Sequence, residues 1–445
     1  MNLNQFRDIT RYPSAIVGLA IILFLIGISI FTIIALPYDQ TVVKWCGGDN
    51  VWQDNPRTVP PTWTNFFRSE KKPETIIFNS TDEGVEKQVT PLKDDLTDIQ
   101  MTFTFDYTAD EFPQEVIMFF TSTFDKKAPY ISLTWITPDG RELDIGDFSI
   151  DKTYTRRLSQ DDKLTKKLDG QPAEIGLFAD PNSKELKPLK GTYTLEVAGP
   201  TFEPESTFDV KTVIYGKVFG LAGTDHLRRD LLLALLWGTP VALAFGLIGA
   251  VVTSVLTMII AATGTWYGGW VDSLIQRITE INMMLPVLPI LIMVGVFYSR
   301  SLWLILGVII LLSIFGASIK SYRAMFMQER EAGYIQAAKS YGASNSRIIF
   351  QYLIPRIVPV LIPSLVVLIP SFVFLEASLA VLGLGDPLMP TWGKIIDEAR
   401  TNGALYKGLY YWVLEPSFML MLTGFSFAML GFALDRILNP RLREM

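Results

Sequence analysis

Forty-one consecutive residues, Leu231 to Val271, carry no charged side chain. As one helix they would be about 60 Å long, twice the hydrocarbon thickness of a bilayer. Gly238-Thr-Pro240 offers a break, so the stretch reads as a short interfacial helix followed by a span near Val241–Ala262. A second uncharged run, Ser14 to Leu36, is long enough to cross a bilayer and follows Arg7 and Arg11. A cleavable signal has a shorter apolar region and ends at small residues. This run ends in Ile-Ile-Ala-Leu-Pro-Tyr-Asp and reads as an uncleaved anchor. Further apolar runs lie near Ile281–Phe297, Leu302–Ile319, Ile357–Leu382 and Ser417–Leu434, which makes six expected spans. Charged residues are only 19% of the chain and mean hydropathy is +0.29, whereas soluble domains carry roughly 25% charged residues.

The charge distribution fixes an expected topology. With six spans and the N-terminus in the cytoplasm, the C-terminus and the loop 320–356 are cytoplasmic too. That loop holds Lys320, Arg323, Arg330, Lys339, Arg347 and Arg356 against only Glu329 and Glu331, and the tail adds Arg436, Arg441 and Arg443. Both fit the positive-inside rule. Arg228 and Arg229 fall on the outer side, beside a large translocated region where the rule is weak. The chain reads as a multi-pass protein of a prokaryotic plasma membrane.

Between Tyr38 and Asp225 the texture changes. This stretch has 21 Lys and Arg against 32 Asp and Glu and no run of membrane length. Residues 101–107, 130–136, 191–197 and 207–215 alternate with period two and are rich in β-branched and aromatic side chains, the signature of strands. Thr137-Pro-Asp-Gly140 reads as a hairpin turn. The expectation is an all-α polytopic membrane core with an inserted external β-sandwich. The segments are 1–37 (N-terminus and first span), 38–222 (β-rich insert) and 223–445 (five spans). The mixed-sign stretch Lys152–Lys167 is expected to be a solvated loop or helix.

Cys46 and His226 are each the only residue of their type, which argues against a structural metal, an intrachain disulfide and Cys/His or Ser/His catalysis. There is no phosphate-loop motif and no basic, aromatic-interleaved face for nucleic acid. The chain is therefore expected not to be an enzyme and to hold no cofactor itself.

The stretch Tyr334 to Arg356 has helical composition, with small residues Ala337 and Ala338, a break at Gly342 and a second amphipathic piece ending at Pro355. On the residues alone, a knob docking in a partner's groove and a loop lying on the membrane surface are equally open. The stretch resembles the Glu-Ala-Ala loop of ABC importer permeases, with Gln336-Ala337-Ala338, Gly342 and Ile354-Pro355 in register and Gln336 where glutamate is usual. Gly223-Thr224-Asp225 with Arg229-Asp230 resembles the signature before the second span in oligopeptide/dipeptide/nickel-type permeases, and Arg228 replaces the usual glycine. Glu376 to Gly385, followed by Pro390-Thr-Trp392-Gly393, resembles the post-gate segment of that group. The resemblance covers about Gly223 to Arg443 and, more loosely, the first 37 residues. Related permeases have a much shorter connection where this chain has Tyr38–Leu221.

The resemblance implies a MetI-like permease subunit. Its partners would be a second related permease in a heterodimer, two ABC ATPase subunits carrying ATP and Mg, and an external binding protein. It implies a coupling helix around Tyr334, Gln336, Ala337, Ala338, Gly342, Ala343, Arg347 and Pro355. Peptides are the expected substrate, with oligosaccharides or nickel as the alternative within the class. Glu376, with Gly383, Gly385 and Trp392, is the candidate pathway or gate group, weighed against a carboxylate merely bonded to backbone or a neighbouring helix. A membrane-anchored sensor or adhesion module is the rival class, and six proline-rich spans exceed what an anchor needs.

Overall fold

In lipid, backbone polar groups must be paired within the segment, so apolar runs of this length become helices. The computed structural model describes residues 12–438, apart from 49–50, 83–84 and 94–95. Arg7, Arg11, Arg441 and Arg443 thus lie outside the described residues. The chain divides into two compact units, Met1–Gly47 with Leu233–Met445, and Gly48–Leu232. Both boundaries fall ten residues beyond those expected at 38 and 223. Tyr38 packs edge-on against Trp237 of the helical unit, and Gly223–Asp230 is hydrogen-bonded to the 55–60 segment of the β-rich unit.

The helical unit contains α1 (Pro13–Ala35), α2 (Tyr38–Cys46), α3 (Leu231–Tyr267), α4 (Gly269–Met284), α5 (Val287–Phe297), α6 (Leu302–Ile314), α7 (Ser318–Arg330), α8 (Gly333–Ser340), α9 (Ile354–Leu379), α10 (Trp392–Thr401) and α11 (Tyr411–Leu438). Among the described residues, four helices are long and apolar enough to cross a membrane: Pro13–Ala35, Leu231–Tyr267, Asn345–Leu384 and Tyr411–Ile437. The pairs α4–α5 and α6–α7 are bent by 77° and 47°.

Two expectations are corrected. Leu231–Tyr267 is one helix with Pro240 inside it, not two pieces broken at Gly238-Thr-Pro240. Proline at 240 cannot donate to the Leu236 carbonyl. The Thr32 hydroxyl of α1 approaches that carbonyl at 3.5 Å, and Trp392 Nε1 donates to the neighbouring Leu235 carbonyl at 2.9 Å. The expected span Ile281–Phe297 is instead broken at Leu285, which is extended (φ −71°, ψ 132°) before Pro286. A residue preceding proline is pushed out of the helical region.

Small residues let the helices close on one another. A Cβ on Gly18 of α1 would lie 2.7 Å from the Ser426 carbonyl of α11, and one on Gly246 of α3 would lie 2.9 Å from the Ile369 carbonyl of α9.

Among the described residues the second unit holds nine strands: β1 (Ile76–Asn79), β2 (Glu86–Lys93), β3 (Leu96–Tyr107), β4 (Glu115–Thr123), β5 (Tyr130–Ile136), β6 (Glu142–Ser149), β7 (Thr153–Arg157), β8 (Gly191–Thr201) and β9 (Thr207–Tyr215). They form antiparallel sheets in the orders β1-β9-β4-β7 and β2-β3-β8-β5-β6. Alternation aims Met101, Phe103, Phe105 and Tyr107 of β3 into one core with Leu133 and Trp135 of β5, Tyr193 of β8, Phe120 of β4 and Val210 of β9. Register matches Phe103 to Leu195 and Phe105 to Tyr193. The three buried polar tips are satisfied, Trp135 Nε1 donating to Leu177 O at 3.2 Å, the Tyr193 hydroxyl to Leu189 O at 2.7 Å and the Tyr107 hydroxyl to Glu111 O at 2.5 Å. The hairpin at Thr137–Gly140 closes with Gly140 N to Thr137 O at 2.9 Å. The stretch Lys152–Lys167 is not only loop or helix: it supplies edge strand β7 and then the helix Asp162–Lys167, whose first turn Asp161 caps.

Trp135 has no exposed surface. Trp135→Ala lowers the stability of this unit by about 3–5 kcal/mol, the usual cost of emptying a buried aromatic site. The effect is read as a fall in the unit's unfolding midpoint by pulse proteolysis of the full chain; an unchanged midpoint contradicts the core assignment.

Candidate functional site

The sequence-selected residues fall into three groups. Two lie on the helical unit and one on the β-rich unit.

The first group is the loop after α7. Ala332 is extended and starts α8, whose residue Ile335 is fully buried. Ile335 packs with Trp266, Tyr322, Phe326, Ile348, Ile349 and Leu353. Burying this one side chain turns the rest of α8 outward: Tyr334, Gln336 and Ala337 are exposed and Ala338 is half-buried. Lys339 Nζ lies 4.6 Å above the Trp266 ring, a cation–π contact that fixes the helix roll. The helix ends on Gly342 at φ +78°, a left-handed position that glycine adopts without strain. Ala343 N donates to Ala338 O at 3.0 Å across this turn. Ser344 then caps the next helix by accepting from Arg347 N, and Arg347 Nε donates to Gln351 at 3.0 Å.

Tyr334, Gln351, Tyr352, Pro355 and Arg356 line a shallow cleft of about 470 Å³. The Tyr334 hydroxyl donates to Glu329 at 2.8 Å, and partial burial together with that carboxylate pushes the phenol up to about 12. Sequence reasoning missed Tyr341, the most exposed side chain at the loop tip (91% exposed). Its only signal was its place directly before the turn glycine.

The second group surrounds Glu376 on α9. Glu376 is buried, and Oε1 has no hydrogen-bond partner; Thr391 bonds the carboxylate. The helix kinks at Gly383, where φ is +83°. The chain returns so closely that a Cβ on Gly393 would lie 2.6 Å from Ala377 Cα, and Gly385 faces Ala380. Trp392 is buried against Gly238 of α3. Asp386, also missed, accepts from Leu302 N at 3.1 Å and so holds the start of α6. Arg347 and Glu376 stand 29 residues apart on one continuous helical stretch, Asn345–Leu384, about 43 Å. The first two groups are therefore separate places, not one site.

The third group, Gly223–Asp230, is a clasp within the β-rich unit. Asp225 has no exposed surface. It accepts from Leu227 N (2.8 Å), Arg229 N (2.9 Å) and Arg229 Nε (2.6 Å). The Thr224 hydroxyl donates to Pro56 O at 2.8 Å, and Asp230 accepts from Leu232 N at 2.9 Å at the start of α3. Burial raises the Asp230 carboxyl above its ordinary range. Arg228 has φ +64°, which explains why glycine is usual there: the position is left-handed. Arg228 offsets that strain with an ion pair to Glu115 (3.1 Å), a bond to Asn55 O (2.7 Å) and a stack 4.2 Å over the Tyr215 ring.

Arg228→Ala keeps the strained backbone and strips a nearly buried ion pair, costing about 3–5 kcal/mol. Arg228→Gly relieves the strain and is milder by about 1 kcal/mol. Pulse proteolysis of the full chain ranks the two; equal losses would remove the backbone argument.

The comparisons follow this geometry. Residues 253–444 match the family described as "Binding-protein-dependent transport system inner membrane component". The chain is 30% identical over 225 residues to the dipeptide transport system permease protein DppC of Alkalihalophilus pseudofirmus, covering 50% of this chain and 72% of that protein. It is 29% identical to the glutathione transport system permease protein GsiD of Pectobacterium atrosepticum, covering 50% and 73%. It is 28% identical to the dipeptide transport system permease protein DppC of Bacillus subtilis, covering 50% and 69%. The family match and four to six apolar helices place the chain in the membrane as a multi-pass protein with a MetI-like domain. The chain belongs to the family of binding-protein-dependent transport system inner membrane components, the permeases of ABC importers.

Proposed function

We propose that this chain is the permease subunit of an ATP-driven, binding-protein-dependent peptide importer and forms half of its pathway. The observation that carries the coupling assignment is α8: buried Ile335 fixes it while Gln336, Ala337 and Tyr341 stay open to a partner. The dipeptide and glutathione permeases among its relatives support the substrate class. Oligosaccharide or nickel transport has no comparable support.

In this reading each bent pair, α4–α5 and α6–α7, counts as one span, giving six. Both termini and residues 320–356 are cytoplasmic, and residues 48–232 lie outside. A second, related permease completes the pathway, two ATPases dock on the α8 loops, and an external protein delivers substrate. ATP hydrolysis belongs to the partner subunits. Closure of the ATPases displaces α8 as a rigid unit and switches the spans between two packings. Small Ala337 and Ala338 suit close approach to an ATPase cleft. Gln336 keeps hydrogen-bonding capacity without charge. Glu376, with one unpartnered oxygen beside the kink at Gly383 and the packed Gly385 and Trp392, is the proposed gate group.

Co-expression with the neighbouring transport genes and purification through this chain tests the assembly. The expected result is recovery of a second permease and two ATPases; isolation of this chain alone contradicts it. Ala337→Arg or Tyr341→Ala weakens ATPase docking more than about tenfold, the scale of a central interface contact. Membrane insertion stays unchanged, and unaltered docking would remove α8 as the coupling element. Glu376→Gln keeps the bond to Thr391, so thermal stability shifts by no more than about 0.5 kcal/mol while uptake falls. Uptake unchanged in a stable protein would leave Glu376 a packing residue.

A further inference from the structure

Two helices of the helical unit, α4 and α7, are tied together at both ends. Near the start of α4, Asp272 forms a two-pronged ion pair with Arg323 of α7, Oδ1 to Nε at 2.7 Å and Oδ2 to Nη2 at 2.5 Å. Such a fork fixes orientation as well as distance. Near the end of α4, the Asn282 amide donates to Leu312 O at 2.6 Å and to Phe315 O at 3.1 Å, at the bend between α6 and α7. Residue numbers rise along α4 as they fall along its partner, so the two helices run antiparallel. The ties are ten residues apart on α4 and eight apart from Phe315 to Arg323, about 15 and 12 Å, so the two spacings agree. Asp272, Ile275, Thr279 and Asn282 share one face of α4, and that face is covered. Thr279 has no exposed surface, and a Cβ on Gly264 of α3 would lie 2.8 Å from Ile275 Cδ1.

Asn282 touches both bends. Gly316 N donates to Ser313 O and Ile319 N to Gly316 O, so the carbonyls of Leu312 and Phe315 lose the donors an unbroken helix would give them. Those are the two that Asn282 takes up, and Thr257 of α3 takes up Ile314 O at 3.1 Å. The Asn282 carbonyl in turn accepts from Leu285 N at 3.1 Å where α4 ends. The bends of 77° and 47° thus share one residue. Unmet carbonyls are costly in apolar surroundings, and a bend supplied with donors by neighbouring helices is a built feature. A hinge is a few element-terminal residues that absorb a change of angle, and Asn282 sits where two of them meet. The other end of the pair adjoins α8. Seven residues beyond Arg323, Arg330 donates to Thr265 O at 2.9 Å in the last turn of α3, and Lys339 of α8 covers the neighbouring Trp266 ring. Only Glu331 and Ala332 separate α7 from α8.

We propose that α4 and α7 form one strut that pivots at Asn282 and hands the displacement of α8 to the two bends. Asp272 and Arg323 keep the strut in one piece. All three are positioning residues, acting through the helices they hold. The inference rests on the permease reading, in which closure of the ATPases moves α8. It gives that motion an exit into α5 and α6, beside the direct one along the continuous helical stretch Asn345–Leu384.

The test uses the full chain in nanodiscs, with Cys46→Ser and pairs of nitroxide labels whose separation is read by double electron–electron resonance. Arg277→Cys with Met327→Cys spans the strut, and Arg277→Cys with Val296→Cys spans the α4–α5 bend; all three positions are exposed. In the chain alone, the 277–327 distribution is expected to be narrow and to widen roughly twofold in Asp272→Asn, the mark of a lost tie between elements. Exchanging the charges, Asp272→Arg with Arg323→Asp, narrows it again. An unchanged width in Asp272→Asn, or an exchange no better than the single variant, overturns the strut, whatever the partners are. With the ATPases assembled, ATP without Mg shifts the 277–296 distance by several ångströms and leaves 277–327 in place. A shift within the strut, or none across the bend while the ATPases are bound, overturns the pivot and leaves the permease reading standing. Recovery of no ATPase sinks the permease reading and the pivot with it, while the width in Asp272→Asn still decides the strut.

Discussion

The carbonyls of Leu235 and Leu236 set the arrangement of the helical unit. Pro240 leaves the second without its normal partner inside an apolar helix, where an unmet carbonyl costs several kcal/mol. Thr32 of α1 approaches one carbonyl and the Trp392 indole reaches the other. The same short stretch of α3 thus fixes the height of α1 and the position of α10. Gly238 then has to be glycine, because the Trp392 ring occupies the space a Cβ would fill. What resembled a gate signature at Pro390–Gly393 is, in its tryptophan, also a packing bolt that ties α10 to the Leu235 carbonyl beside the proline-kinked turn of α3.

Much of this was legible in the residues. Period-two alternation located β3, β5, β8 and β9 because their buried faces share one core, and a shared core enforces strict register. The run from Ser14 to Leu36 was legible as a helix because nothing in it competes. The Leu231–Val271 stretch was misjudged because Pro240 reads locally as a breaker, while the side chains packed around that turn, Thr32 and Trp392, come from more than 150 positions away. The span through Pro286 failed in the opposite sense: Leu285 is extended before the proline, its N–H closes onto Asn282 O, and the chain turns through 77°.

The functional groups divide along similar lines. Gly342 and Ser344 were legible in α8 because turn and cap chemistry is local. The roll of the helix was not, because it depends on Ile335 meeting Trp266 and Ile348 and on Lys339 lying over an indole. Arg228 seemed a simple departure from a family glycine. Its left-handed backbone and its partners Glu115 and Tyr215 emerge only once β4 and β9 are assembled beside it.

The clasp also bears on how a domain of this size can stand between two apolar helices. Thr58 N donates to Asp225 O, Thr224 N to Val59 O and Phe219 N to Pro60 O, so the segments entering and leaving the unit run side by side. Two paired strands lie about 5 Å apart. Whatever is folded beyond that pairing, the chain enters and leaves the unit through a narrow hydrogen-bonded stem. Loop length then carries almost no entropic penalty for the helical unit, since the stem has already closed it. A splice across the stem would remove some 160 residues and leave the spacing of the chain ends unchanged, the property of a modular socket and not of an extended linker.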